Sequence, residues 1–132
     1  MIKRPKVMDY MATDLVTLSP EMEILHAVGI LLKNDISGAP VVDTIGQLAG
    51  VLSMKDCLKA ALNASYYQDW GGAVSDYMST GAETLNADLD IAETAERFLA
   101  SEYRRFPVLH EQRLVGQISR ADVLRALVEN WH

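Results

Sequence analysis

Gly50-Val51-Leu52-Ser53-Met54-Lys55-Asp56 and Gly116-Gln117-Ile118-Ser119-Arg120-Ala121-Asp122 are two copies of one pattern, Gly-x-x-Ser-x-x-Asp, 66 residues apart. In each copy the residues before the Ser are apolar and β-favouring. After it the spacing turns helical, through Leu58 and Leu62 in the first copy. The pattern therefore marks a junction of strand and helix. Seen once, it reads first as a capping box, in which Ser caps the helix and the acid at the third helical position favours the helix dipole. Its recurrence asks what lies around it.

Working outward, the chain repeats itself. Val7-Met8-Asp9-Tyr10-Met11 returns as Val74-Ser75-Asp76-Tyr77-Met78, an offset of 67. The same offset carries Thr17-Leu18 onto Thr84-Leu85, Ile24 onto Ile91, and Pro40-Val41 onto Pro107-Val108. A one-residue deletion then gives the offset of 66 that pairs the two motifs. This is one duplication, with repeats at 7–62 and 74–130 and a linker at 63–73. Gly71-Gly72 gives that linker flexible backbone. Tyr66, Tyr67 and Trp70 are more aromatic than a free linker and are expected to pack it onto the body.

Each copy reads β-α-β-β-α. In the first, 15–18 is a short β-leaning run. Ser19-Pro20-Glu21 looks like a helix start, with Ser as N-cap and Pro at the first helical position. Ile24, Ala27, Val28 and Leu31 continue an amphipathic helix to about Asn34. The runs 38–42 and 48–52 form a hairpin about a turn that holds Gly46. The second copy gives 83–85, a helix over 88–101, strands at 105–109 and 113–118, and a helix over 119–129. The fold class is mixed α/β, or α+β. One unit of about 60 residues is marginal alone, so two copies packed with pseudo-two-fold symmetry are expected to cover each other's apolar sides.

The chain has 132 residues, of which 49% are hydrophobic and 23% charged, enough for a real core. Its net charge of −6 argues against nucleic acid, which needs a Lys/Arg surface. The start Lys3-Arg4-Pro5-Lys6 lacks the apolar stretch of a signal peptide. No run reaches the length of a membrane span. These features point to a cytoplasmic protein. The one cysteine, Cys57, falls in an apolar helical pattern and reads as a small buried hydrophobe. His26, His110 and His132 have no metal-like spacing, and no nucleophile-base set stands out.

The motif also offers chemistry. A helix N-terminus presents unpaired N–H groups and a partial positive charge, which suits a phosphate. The hydroxyl of Ser53 or Ser119 adds a hydrogen bond. The carboxylate of Asp56 or Asp122 can accept both hydroxyls of a ribose, as acids do in dinucleotide sites. Lys55 and Arg120 are placed to balance phosphate charge. The motif Gly permits close backbone approach. The preceding strands, Ser37-Gly38-Ala39-Pro40-Val41 and Arg104-Arg105-Phe106-Pro107-Val108, can wall a flat base. Arg104 and Arg105 can reach a phosphate or a surface carboxylate, and the sequence leaves both open.

Over residues 7–128 the order of these elements resembles a tandem pair of cystathionine β-synthase (CBS) domains, a Bateman module. The opening Val-x-Asp-Tyr-Met, the later Thr, the Gly-Ala-Pro-Val-Val strand and Gly-x-x-Ser-x-x-Asp carry the resemblance. It implies a non-catalytic regulatory module that binds AMP, ADP, ATP or S-adenosylmethionine in clefts between the repeats and signals to an unidentified protein partner. It also implies a homodimer, no required cofactor and no membrane insertion. By that resemblance Asp56 and Asp122 hold ribose, and Ser53 and Ser119 lie near phosphate. Thr17 and Thr84 match the family's early Thr. Gly38, Ala39 and Pro40 match Arg105, Phe106 and Pro107 as the strand beside the base. The bulky Phe106, where the first copy has Ala39, is expected to alter or fill one cleft. The alternative is a dimerisation and interaction scaffold that binds no ligand.

Overall fold

The computed structural model describes residues 4–131, so Lys3 and His132 lie outside the described residues. Two compact units divide the chain: a contiguous unit, 16–82, and a split unit that joins the residues up to 15 to those from 83 onward. These units are not the sequence repeats. The opening segment of each copy lies in the same unit as the body of the other copy.

The contiguous unit contains α2 (Ile24–Lys33), β1 (Gly38–Val42), β2 (Leu48–Ser53), α3 (Met54–Tyr67) and the short α4 (Val74–Tyr77). The split unit contains α1 (Val7–Tyr10), β3 (Leu85–Asn86), α5 (Ile91–Leu99), β4 (Arg105–His110), β5 (Arg113–Ser119) and α6 (Arg120–Glu129). Both are α+β. β1 and β2 pair antiparallel, with Gly38 opposite Ser53, and Leu18 adds a single parallel bridge to Val41. In the split unit β3 pairs parallel with β4, and β4 antiparallel with β5, with Arg105 opposite Ser119.

The exchange of opening segments is reciprocal down to single hydrogen bonds. In the split unit the N–H of Val7 donates to the Leu89 carbonyl, that of Met8 to Ala87, and that of Ile91 to Pro5. In the contiguous unit the N–H of Val74 donates to Met22, that of Ser75 to Pro20, and that of Ile24 to Gly72. Val7 and Val74, both fully buried, are the apolar anchors. Asp9 and Asp76 fix the entry to each short helix by accepting the backbone N–H of Lys6 (2.9 Å) and Ala73 (2.8 Å).

This explains where the helix expected at Ser19-Pro20 begins. The stretch 19–23 is a turn, and α2 starts at Ile24 with Glu23 extended at ψ 137°. The carbonyls of Pro20 and Met22 accept from Ser75 and Val74, so they are unavailable to a helix. The second copy behaves alike, and α5 starts at Ile91 rather than 88. The expected strand over 15–18 shrinks to the one bridge at Leu18. The hairpin turn forms as expected: Gly46 takes φ 86°, and Asp43 Oδ1 accepts the N–H groups of Ile45 and Gln47.

The two cores use the same positions. Leu18, Ile24, Leu31, Val41, Leu52, Cys57 and Ala60 correspond to Leu85, Ile91, Phe98, Val108, Ile118, Val123 and Ala126. The aromatic linker does not pack as expected. α3 runs on past Ala64, its last buried residue, and leaves Tyr66 and Tyr67 75% and 79% exposed. Among the described residues no helix is long and apolar enough to cross a membrane.

Candidate functional site

Each unit carries its own copy of the motif at a strand-helix junction. Ser53 and Ser119 cap α3 and α6 from extended backbone, and each hydroxyl accepts the N–H of its motif Asp at 3.2 Å. Asp56 Oδ2 and Asp122 Oδ2 accept the backbone N–H of Ser53 and Ser119, both at 2.9 Å. The capping box is complete in both units. An N-cap of this kind contributes about 1 kcal/mol.

Neighbouring strand residues are held beside each cap. The N–H of Met54 donates to the Ser37 carbonyl, and that of Arg120 to the Arg104 carbonyl. With the cross-strand pairs Gly38–Ser53 and Arg105–Ser119, this brings the pre-Pro residues of each strand to its motif. Thr17 is exposed and next to Leu18, whose N–H donates to the Pro40 carbonyl. Thr84 is half-buried and leads into β3, where Leu85 lies opposite Val108.

The side chains of Ala39 and Phe106 are buried in the cores of their own units. Ala39 is 1% exposed and Phe106 0%. The expectation that Phe106 fills a cleft is corrected: its ring packs in the core of its own unit, 4.7 Å from Phe98 and 5.2 Å from Tyr103 between centroids.

The motif Gly also has a different role from the one its position implies. A Cβ at Gly50 would lie 2.7 Å from the Ser79 carbonyl oxygen, and one at Gly116 would lie 2.8 Å from that of Ala12. The backbone that approaches closely is the chain's own exchanged segment, which bridges there through Val51–Ser79 and Ala12–Gln117. The sequence signal was correct but its partner was internal.

The remaining polar groups differ between the units. In the contiguous unit the Ser53 hydroxyl also donates to Asp56 Oδ2 at 2.9 Å, so Oδ2 has two donors and Oδ1 has none among the described residues. Asp56 is 7% exposed. Its charge and the burial of the thiol, burial first, raise the Cys57 pKa above the ordinary range. In the split unit Asp122 Oδ1 is occupied by Arg125 Nη2 at 2.9 Å. Arg104, Arg105 and Arg120 are exposed and pair with no carboxylate among the described residues, and Arg120 Nε donates to the Tyr103 carbonyl. The counterparts of these three arginines are Ser37, Gly38 and Met54. The exposed Lys55 is the one cation inside the first motif. Among the described residues no group of three His, Cys, Asp or Glu is arranged to hold a metal ion.

Each α+β unit thus presents a capped helix with a Ser/Asp pair at a strand end, the arrangement of a duplicated module. The CBS-domain model matches residues 7–63 and 74–129, and the chain belongs to the CBS-domain family as a tandem pair. It is 27% identical over 117 residues to the CBS domain-containing protein YhcV of Bacillus subtilis, covering 89% of this chain and 81% of that one. It is 30% identical to the inosine-5'-monophosphate dehydrogenase of Methanocaldococcus jannaschii, covering 85% of this chain but only 21% of the enzyme. It spans 44% of another protein of that organism, MJ1225, at 26% identity. Among solved structures, CBSX2 in complex with AMP matches with a TM-score of 0.79 at 26% identity, over 94% of this chain and 96% of that one. The CBS pair of MJ0100 with 5'-methylthioadenosine and S-adenosyl-L-methionine matches with a TM-score of 0.75, over 96% and 98% of the two chains; at 23% identity it supports the fold alone.

Proposed function

We propose that this CBS pair is a non-catalytic regulatory module that binds an adenosyl ligand (AMP, ADP, ATP or S-adenosylmethionine) at its Ser/Asp motifs and signals occupancy to a protein partner. The observation that carries the reading is Asp56. It is a nearly buried carboxylate, fixed through Oδ2 by its own capping box, and its Oδ1 has no donor among the described residues. Among the described residues Ser101 Oγ is the one buried side-chain oxygen without a partner, so Asp56 Oδ1 is open to solvent and able to accept a ribose hydroxyl. The AMP complex of CBSX2 points the same way.

In this reading Asp56 and Asp122 take ribose, and Ser53, Ser119 and the helix N-termini face phosphate. Lys55, Arg104, Arg105 and Arg120 balance its charge. Gly38, Ala39, Pro40, Phe106 and Pro107 contribute backbone to the base, and Thr17 and Thr84 flank it. The ligand acts by differential affinity for two states of the module, because equal affinity shifts nothing. The enzymes among the relatives lend no activity here, since the match spans a small part of their length.

The test is a thermal-shift panel on nucleotide-free protein with AMP, ADP, ATP, S-adenosylmethionine, NADH and a guanosine control. A ligand at a hundred times its dissociation constant adds about 2.7 kcal/mol, or several degrees for a chain this size. Asp56→Asn and Asp122→Asn keep an oxygen for the cap while replacing an acceptor with a donor. A shift with an adenosyl compound, lost when the two substitutions are combined, upholds the reading. No shift with any of them ends it.

One observation favours a second reading, an assembly scaffold. α3 exposes Leu58, Leu62 and Tyr66 one helical turn apart, and α6 exposes Leu124, Leu127 and Val128. Beside the latter, a cavity of about 460 Å³ opens between α5 and α6. Such faces suit a homodimer. Sedimentation of the wild type against Leu62→Glu and Val128→Glu tests it, and a monomeric wild type refutes it.

A further inference from the structure

We infer that Arg125 holds the ribose-binding carboxylate of the split unit closed, so that the two motifs bind adenosyl ligands unequally and the Asp56 motif fills first. This rests on the adenosyl reading above and adds a residue that sets which copy is used.

A ribose diol needs acceptor oxygens. Asp56 offers Oδ1, which has no donor among the described residues. Asp122 has a donor on each oxygen: the cap N–H on Oδ2, and on Oδ1, the oxygen left open in Asp56, the Arg125 guanidinium at 2.9 Å. The charge-assisted bond is stronger than the neutral ones a sugar hydroxyl makes, so ribose must displace or share it. Arg125 is itself held in place. Its guanidinium carbon lies 6.0 Å from the centre of the Tyr10 ring. The Tyr10 hydroxyl donates to Glu129 at 2.7 Å and accepts from Asn130 at 2.9 Å.

None of this clamp has a counterpart in the contiguous unit. Lys59, Asn63 and Ala64 stand where Arg125, Glu129 and Asn130 stand in the split unit. Among the described residues Lys59 makes no ion pair with Asp56. Tyr77, the counterpart of Tyr10, donates instead to the Gly71 carbonyl at 3.3 Å. The two motifs share their Ser and Asp, and the side chain three residues beyond the Asp meets the carboxylate in only one of them.

The experiment is isothermal titration of the full chain with AMP, with ATP and S-adenosylmethionine run in parallel. Asp122→Asn isolates the Asp56 motif, and Asp56→Asn isolates the Asp122 motif. Arg125→Met is then added to each; Met keeps the apolar stem over Tyr10 and removes the charge. Asp122→Asn should retain the principal affinity, and Asp56→Asn should bind weakly. Adding Arg125→Met to Asp56→Asn should tighten binding about fivefold, the scale of an ion pair of this exposure, and adding it to Asp122→Asn should change nothing. Arg125→Lys, which installs the residue of the other unit, should act in the same direction if the Met variant folds poorly. Equal affinity at the two isolated motifs, or no gain on releasing Arg125, overturns the inference while leaving the adenosyl reading in place. No binding of any of the three compounds by the wild type overturns that reading, and the inference with it.

Discussion

Arg125 in the split unit and Lys59 in the contiguous unit occupy equivalent positions on α6 and α3, yet only Arg125 closes on its motif Asp. Beneath them the two units bury matching residues at matching positions, anchor an exchanged segment through matching hydrogen bonds and complete the same capping box. Duplication has kept what holds each unit together. The polar groups left over around each cap have diverged: a carboxylate with one oxygen open and one lysine in one unit, a carboxylate paired with Arg125 and three arginines with no carboxylate partner among the described residues in the other. Packing constrains a position from all sides, whereas a solvent-facing side chain is constrained only by what binds it.

The cores differ most at Ala39 and Phe106, which tests that equivalence most severely. Phe106→Ala should cost about 3–5 kcal/mol, because the ring is fully buried against Phe98 and Tyr103 and leaves a cavity. Ala39→Phe should cost about 1–3 kcal/mol by overpacking a core that has Leu31 where the other has Phe98. Urea unfolding measures both. A Phe106→Ala loss below that of Ala39→Phe would mean that the ring does not fill the core as placed.

The next effect should be nearly equal in the two units. Gly50→Ala and Gly116→Ala each push a methyl group against a backbone carbonyl that cannot rotate away, at 2.7 and 2.8 Å. About 1–3 kcal/mol is expected from each. Tm values that fall together sharpen the comparison. A fall at one position only would show that the two exchanged segments are not held alike.

Much of this was legible because it depends on local chemistry. The capping boxes, the hairpin turn at Gly46 and the α-β-β-α order within each copy follow from short-range rules, and the offset of 67 exposes the duplication directly. What stayed hidden depends on contacts distant in sequence. The helix start expected at Ser19-Pro20 is displaced because the carbonyls of Pro20 and Met22 serve a segment more than fifty residues away. The motif Gly pointed to a close approach without naming what approaches. The Arg125 clamp lies three residues beyond the motif and looks like an ordinary surface charge until its distance to Asp122 is known.

The capping serines give a smaller contrast. Ser53→Ala removes both the acceptor for the Asp56 N–H and the hydroxyl that donates to its carboxylate, whereas Ser119→Ala removes the acceptor alone. About 1 kcal/mol is expected for each as a cap, with Ser53→Ala the larger. Equal losses in thermal unfolding would show that the extra bond at Asp56 contributes nothing without ligand.

The smallest effect concerns Tyr10. Its hydrogen bond to Glu129 is the main cause of a pKa raised above the ordinary tyrosine value of about 10, and partial burial adds in the same direction. For an acid, a raised value in the folded state favours the neutral form. The contribution to stability is therefore whole below pH of about 10, where an unfolded tyrosine keeps its proton, and it is lost as pH rises through the higher folded value. Tyr10→Phe should be slightly less stable than wild type at pH 8, and the gap should close as pH climbs beyond 10. Denaturant midpoints at pH 8, 9, 10 and 11 read this directly. A gap that stays constant would mean that the ionisation of Tyr10 is not linked to folding and that its bond to Glu129 does not help hold the clamp around Arg125.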